Sequence, residues 1–403
     1  MDAHLKNLDL FNPSEEFRML RSTVRNFTRE EVEPQALSSD RKEYFNTELF
    51  KHLGGLGLLG ITVPETYGGA GLDALAAVIV HEELSASDPG FCLAFLAHAL
   101  LCANNIAANA SEEQKRRYLP KLCSGEWIGA MGLSEPGVGT DVLGMTTTAQ
   151  KQKDGYVLNG RKMWITNGTV DDKKTPCDVL LLYARDGASS EDRSISTFII
   201  ERGFSGFSVG QKITDKLGMR ASNTAELCFD NCSVPLQNLV GREGESLTHM
   251  MRNLEIERLG LAAMSLGIAR RSIEVMVTYA NEREAFGKKL TGFGQVQRLI
   301  AESYSEYQAA RAYVYNTARK IDLHKAGQRL DSDGVKLFAS RIGKQIAERA
   351  IQVLGGYGYV GAYVVERLWR DAKLLEIGGG TSEAHQKNIC ADLARISDLS
   401  RVL

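Results

Sequence analysis

Proline restricts this chain more than any other residue. All eight prolines fall between Pro13 and Pro235, and none follows up to Leu403. Background usage of about 5% would place roughly eight in a stretch of that length. Proline lacks the backbone N–H and clashes with the preceding turn, so its absence leaves a long stretch free to be helical. Leu247, Met250, Leu254, Leu261, Met264 and Ile268 recur there mostly at steps of three and four, as one helix face requires. Residues 296–326 and 334–354, rich in Ala, Glu, Arg and Gln, extend the expectation.

The middle of the chain reads differently. Segments 127–131, 146–152, 156–158, 179–183, 196–200 and 225–229 are short and rich in Val, Ile, Leu, Tyr and Thr. Turns such as Asp154-Gly155 and Asn159-Gly160 separate them, which predicts an antiparallel sheet or small barrel. Residues 15–31, 46–56, 74–87 and 112–122 have helical spacing. The chain therefore reads as α+β: an N-terminal helical domain over 1–126, a β domain over 127–240 and a helical domain over 241–403. A length of 403 residues is in any case too great for one core.

Charge excludes several classes of function. Lys and Arg number 48 against 50 Asp and Glu, a net charge of −2, so no basic face for nucleic acid is expected. With 43% apolar residues the chain is also unlike a disordered one. No apolar run approaches the roughly 20 residues of a membrane helix, so a soluble globular protein is expected. Residues 1–6, with Asp9 and Glu15 close behind, form neither a signal peptide nor an Arg-rich transit sequence. That predicts a bacterial cytoplasm, or the mitochondrial matrix for a mature eukaryotic form. The seven cysteines are odd in number and dispersed, Cys228 and Cys232 lack C-x-x-C spacing, and the His residues form no H-E-x-x-H pair. A reducing compartment is expected, without a disulfide framework or a metal site.

Four motifs carry chemical content. Gly356, Gly358 and Gly361 satisfy G-x-G-x-x-G, but a dinucleotide fingerprint follows a strand inside a βαβ unit. Here a helix precedes it, so a helix end and a flexible loop are expected, with backbone able to cradle a phosphate. Residues 134–141, Ser-Glu-Pro-Gly-Val-Gly-Thr-Asp, read as an ordinary turn or as a close approach to a polar ligand. Trp164, ahead of Ile165, Thr166, Asn167 and Gly168, reads as core or as a cofactor platform. Glu257 says most. It occupies the apolar stripe between Leu254 and Leu261, whereas Glu255 points away from it. A carboxylate there is desolvated or paired with a distant cation, and Arg258 projects about 100° around the helix. It is either half of a buried ion pair or a general base in an apolar pocket.

These pieces together resemble one family. Residues 134–141, Met163-Trp164-Ile165-Thr166-Asn167-Gly168, Arg283-Glu284-Ala285-Phe286-Gly287, Gln352-Val353-Leu354-Gly355-Gly356-Tyr357-Gly358, Arg370-Asp371-Ala372-Lys373 and Gly380-Thr381-Ser382-Glu383 occur in its order. The chain resembles the FAD-dependent acyl-CoA dehydrogenases over roughly residues 15–394. The resemblance implies a C-terminal four-helix-bundle-type domain. It also implies removal of a pro-R α-proton by a glutamate as hydride passes from the β-carbon to flavin N5, giving a trans-2-enoyl-CoA. Most members carry that base in a Tyr-Glu-Gly-Thr run, which is Gly378-Gly379-Gly380-Thr381 here. The isovaleryl-CoA and long-chain branches carry it instead in a Leu-x-x-Glu-Arg pattern, here Leu254-Glu255-Ile256-Glu257-Arg258. Family and stripe select the same residue, Glu257.

The isovaleryl-CoA branch is the nearer likeness, through residues 372–377, Ala97-His98 and Leu101-Cys102. Gly378 and Gly379 would vacate space for a branch near the β-carbon, and residues 91–99 would line the pocket end. The resemblance places Met131, Leu133 and Ser134 at the flavin pyrimidine edge, Trp164 against the ring, and Ile165 and Thr166 near N5. Thr140 would lie where cofactor and pantetheine meet. Arg283, Phe286, Gln352, Gly355 and Gly356 would reach the ADP part of FAD in a neighbouring subunit, while Thr381, Ser382 and Glu383 hold it from the C-terminal domain. Thr140, Glu255, Arg258, Gly378, Gly379 and Gly380 would surround the acyl-CoA. The Gly379 N–H would polarise the thioester carbonyl as an oxyanion hole does. The family's Gln eight residues after Phe286 is Gly294 here, with Gln295 beside it. Shared FAD sites imply a homotetramer, with electron-transferring flavoprotein as electron acceptor. Competing expectations are the same chemistry on a long-chain, cyclic or other branched thioester, a non-catalytic assembly factor, or an oxidase.

Overall fold

Helices begin here where a short polar side chain can satisfy an otherwise orphaned N–H. Asn46 accepts from the Leu49 N–H, Asp73 from Ala76 and Asp88 from Phe91, each at 3.0 Å. Ser111 and Gln114 form a reciprocal capping box. The structure, a computed structural model, describes residues 9–187 and 194–402. Residues 1–6, in which no leader was read, lie outside the described residues.

The N-terminal elements are α1 (Glu15–Phe27), α2 (Glu33–Lys42), α3 (Thr47–Gly55), α4 (Ala74–Ser85), α5 (Pro89–Leu96), α6 (Asn104–Asn109) and α7 (Glu112–Ser124). A π-helical turn, Ala97–Ala103, joins α5 to α6, making a continuous helix of 21 residues. By length and composition that helix could cross a membrane, which corrects the expectation that no such run exists. It is a core helix. Its most apolar window is 94% buried within the protein, and its polar residues are bonded internally. His98 Nε2 meets the Leu122 carbonyl at 2.9 Å, and Asn105 donates to the Tyr183 hydroxyl at 2.7 Å.

The strands are β1 (Gly129–Gly132), β2 (Thr148–Lys151), β3 (Gly155–Thr166), β4 (Val179–Asp186), β5 (Ile195–Glu201), β6 (Phe207–Lys212), β7 (Thr224–Pro235) and β8 (Leu239–Val240). They form one sheet in the order β6-β7-β3-β2-β4-β5-β8, with β1 on β4. The sheet is mixed, not antiparallel throughout: β1 and β2 both run parallel to β4. Parallel neighbours need long connections, which the excursions over 133–147 and 167–178 supply. The β3–β7 ladder breaks between Lys162 and Ile165, and there Trp164 takes φ 66°.

The C-terminal part comprises α8 (Leu247–Glu282), a hairpin of β9 (Glu284–Ala285) and β10 (Lys288–Lys289), α9 (Gly294–Ala318), α10 (Arg329–Leu354), α11 (Gly356–Tyr359), α12 (Val365–Leu375) and α13 (Ser382–Leu393). The helix expected to reach residue 326 ends at Ala318, and the glycine-rich stretch after α10 forms the short α11 instead of a flexible loop. The 36-residue α8 packs against both α4 and α10. Gly267 permits the closest approach, because a Cβ there would lie 2.3 Å from the Glu82 carbonyl oxygen and 2.2 Å from Ser85 Oγ. Gly267→Ala must push α4 off α8. We expect a loss of about 2 kcal/mol, seen as a thermal unfolding midpoint several degrees lower; an unchanged midpoint would mean the contact yields freely.

Candidate active site

Glu257 sits on the face of α8 that Asn253, one turn earlier, shares by i, i+4 spacing. Asn253 Nδ2 meets Met131 Sδ at 2.9 Å, which draws the end of β1 against α8. Leu133 packs in the same small apolar cluster as Leu254. From the other side comes residue 379, where a Cβ would lie 3.5 Å from Glu257 Cδ. The sequence-predicted residues Met131, Leu133, Glu257 and Gly379 thus converge.

The Glu257 side chain is partly buried, and its carboxylate makes no hydrogen bond or ion pair among the described residues. Burial raises its pKa to about 7, opposed by the positive charges of Arg258 and Lys336. A carboxyl so placed is poised to exchange a proton near neutrality. The neighbouring Gly379 N–H also donates to nothing among the described residues. An unbonded acceptor and an unbonded donor therefore stand side by side.

Trp164 lies across the sheet bulge and is 62% exposed. The core alternative therefore fails: positive φ turns the indole outward, where its face is uncovered. Gly137 and Gly139 have nothing within 4 Å of an added Cβ, so the backbone over 134–141 offers open space beside it. Thr140 on this loop is exposed, and Ser134 and Thr166 are partly buried. The loop is held from beneath by a pair the sequence reading missed. Lys162 Nζ donates to Glu135 Oε1 at 2.8 Å and to the Leu133 carbonyl at 3.0 Å. Glu135 accepts from the Thr146 and Thr147 N–H groups at 2.7 and 2.9 Å. Burial alone would raise the Glu135 pKa, but Lys162 and these donors bring it down to about 2.

Several assignments need correction. Glu255 is 4% exposed and accepts from the Gly327 and Gln328 N–H groups at 3.1 and 3.0 Å, so its carboxylate is engaged in bracing the loop before α10. The Arg258 guanidinium is buried, pairs with Asp333 at 2.9 Å and donates to the Gly379 carbonyl at 3.3 Å, so it reaches the acyl-CoA region through the backbone of residue 379. Ile165 and Leu133 point into apolar cores and offer only main-chain atoms. The space expected at Gly379 is filled, because a Cβ there would meet Leu261 Cδ1 at 2.5 Å. At Gly378 the nearest atoms, all of Leu374, begin at 3.6 Å, so room remains on that side only. The 91–99 helix lies close on α8, where a Cβ on Gly260 would be 2.8 Å from Leu96 Cδ1.

The remaining residues lie elsewhere on the chain. Thr381 caps α13 by accepting from Ala384, with Ser382 and Glu383 in its first turn and Glu383 exposed. Arg283 and Phe286 lie on the hairpin beyond α8, Phe286 being 95% exposed with φ 51°. Gln352, Gly355 and Gly356 are exposed near the same end, and Gly294 opens α9 beside the exposed Gln295. From Glu257 to Arg283 the helix axis runs roughly 39 Å at 1.5 Å per residue. One chain thus presents two separate surfaces.

Residues 14–126 match the family described as acyl-CoA dehydrogenase, N-terminal domain, residues 130–232 its middle domain and residues 245–394 its C-terminal domain. The chain belongs to the acyl-CoA dehydrogenase family. A mitochondrial isovaleryl-CoA dehydrogenase of Pongo abelii is 44% identical over 377 residues, 93% of this chain and 87% of that one. The structure of butyryl-CoA dehydrogenase from Megasphaera elsdenii matches with a TM-score of 0.90 at 35% identity, covering 95% of this chain and 99% of that one. A glutaryl-CoA dehydrogenase from Mycobacterium smegmatis, solved in complex with FADH2, matches with a TM-score of 0.88 at 30% identity over 96% of each chain. This acyl-CoA dehydrogenase is an oxidoreductase acting on acyl-CoA, in a flavin-dependent family.

In the acyl-CoA dehydrogenase chain, Glu135→Ala strips a fully buried ammonium of its partner and orphans two backbone N–H groups. Breaking such a pair costs about 3 to 5 kcal/mol. Calorimetry should show a large fall in unfolding temperature, with part of it recovered when Lys162→Met is added. No recovery in the double variant would mean that the pair is not what holds the loop.

Proposed function

We propose that this chain dehydrogenates a short branched acyl-CoA of the isovaleryl type to its trans-2-enoyl-CoA, with Glu257 as the base that removes the α-proton. The observation that carries the reading is the unbonded Glu257 carboxyl, raised to about 7 and set against the unbonded Gly379 N–H. A thioester lying between them presents its carbonyl oxygen to that N–H. The donor stabilises negative charge developing on the oxygen, and Glu257 takes the acidified proton. Leu254 and Leu261 flank Glu257 and limit water around it, which keeps the carboxyl near neutrality instead of at the usual carboxylate value.

The residues present fit FAD. An uncovered indole stands on the sheet bulge, and open glycine backbone lies at Gly137 and Gly139 and again at Gly355 and Gly356. Met131, Ser134, Trp164 and Thr166 would hold its ring, and Thr381 to Glu383 would meet it from the C-terminal part. FAD, when bound, supplies the acceptor for the hydrogen leaving the β-carbon. The roughly 39 Å between Glu257 and Arg283 along α8 favours Arg283, Phe286 and Gln352 serving a second subunit's FAD. A homotetramer follows as the proposed assembly, with electron-transferring flavoprotein as the proposed oxidant of the reduced enzyme. The space left at Gly378 supports a branched acyl group.

Two expected outcomes test this. Anaerobic isovaleryl-CoA should bleach the flavin, at a rate that rises with pH through about 7 as Glu257 loses its proton and then levels off. Glu257→Gln should keep flavin and ligand but lose most of that reduction; comparable reduction would require a different base. Separately, Gly378→Leu should fill the open space and lower kcat/KM for isovaleryl-CoA at least about tenfold, while butyryl-CoA falls less. Equal losses on a panel of thioesters would remove the branched-substrate reading.

A further inference from the structure

Residues 378–380 carry no side chains, yet Gly379 and Gly380 are held at φ 66° and 105°, where other residues are rarely found. Glycine backbone loses the most freedom on being fixed, so such a segment needs outside anchors. They come from beneath. Arg258 Nε donates to the Gly379 carbonyl at 3.3 Å, and Lys336 Nζ donates to the Gly380 carbonyl at 2.5 Å. Asp333 fixes Arg258 at 2.9 Å and is bonded to His385 Nδ1 at 2.7 Å. A Cβ on Gly380 would sit 2.9 Å from the His385 ring, so the segment rests directly on this cluster.

Lys336 is the member without a partner of opposite charge. It is fully buried, yet it forms no ion pair among the described residues. Burying an ammonium that way is unfavourable unless something offsets it. The charged groups around it are Glu257 and Arg258 from α8, Asp333 on its own helix, Glu376 after α12, and Glu383 and His385 from α13. Asp333 is shared by Arg258 and His385, Glu376 is bound by Lys373 at 2.7 Å, and Glu383 faces solvent. Glu257, the acid without a cation of its own, is left for Lys336. Burial lowers the Lys336 pKa to about 8, with Glu257 opposing the fall, so the ammonium persists at neutral pH.

We propose that Lys336 is a positioning residue for α-proton removal, holding the Gly380 carbonyl so that the Gly379 N–H keeps its aim, and lending Glu257 a positive charge that favours its ionised form. The inference rests on Glu257 being the base. Lys336→Met removes charge and hydrogen bond together, Lys336→Gln keeps a donor without the charge, and Lys336→Arg restores the charge.

Two readouts on the holoenzyme decide the matter. The Glu257 carboxyl is titrated in the resting protein by infrared difference against Glu257→Gln, and flavin reduction by isovaleryl-CoA is followed against pH. In Lys336→Met the carboxyl midpoint should rise by about one unit from about 7, so that the ionised fraction, and with it reduction near pH 7, falls about fivefold and recovers in large part at higher pH. Lys336→Arg should keep the wild-type midpoint. Should Lys336→Met fail to fold, Lys336→Gln carries the same comparison. An unmoved midpoint in Lys336→Met overturns the role of Lys336 while leaving an inactive Glu257→Gln as evidence for the base. Full reduction by Glu257→Gln overturns both.

Discussion

A carboxyl that no donor reaches is an unfavourable thing to keep inside a protein, and the surroundings of Glu257 are arranged to keep it. Its side chain enters an apolar stripe on a helix that is itself clamped by α4 and α10. Leu261 and the backbone of Gly379 close over it on one side, and Leu254 flanks it on the other. Two cations, Arg258 and Lys336, limit the upward shift that burial imposes. Neither forms an ion pair with Glu257, so the carboxyl remains available to a proton.

The same solution appears twice in the molecule. Chain segments built from small residues lie over buried charges that grip their main-chain atoms from beneath. Glu135 and Lys162 do this for the excursion after β1, reaching the Leu133 carbonyl and the Thr146 and Thr147 N–H groups. Arg258 and Lys336 do it for residues 378–380. A small-residue surface lets a ligand approach closely, while charge-assisted hydrogen bonds from below replace the rigidity that side chains would have supplied. A third buried network, Glu82 and Glu83 with Arg21, Arg25, Arg270 and Arg311, ties α1, α4, α8 and α9 together and so fixes the helix that carries Glu257.

Much of the architecture was legible in the chain. The proline-free stretch is helical through α8, α9 and α10, and the middle segments are strands, because exclusion of proline and alternation of β-branched residues act locally. What escaped did so for physical reasons. β6, with Gly210 in it and Gln211 and Lys212 at its end, has a half-exposed edge position that weakens its pattern. The parallel placement of β1 and β2 on β4 depends on long excursions whose paths no local signal records. Asp333 and Lys336 lie on the buried face of α10 among Val335, Ala339 and Ile342; the stripe test that singled out Glu257 on α8 would have found them there.

Sequence alone determined that an acid occupies the greasy face of a long helix and that six motifs stand in the order of one enzyme family. Those are properties of spacing along a chain, and spacing survives without coordinates. Tertiary structure decided what each neighbour of that acid does: Glu255, two residues away, is spent on a loop, Arg258 on Asp333 and a carbonyl, and Lys336, distant in sequence, brings its charge to bear on Glu257 while donating to the Gly380 carbonyl. Adjacency in space, and the loss of water that accompanies it, arises only when separate helices close on one another, so no reading of a single segment could assign those roles.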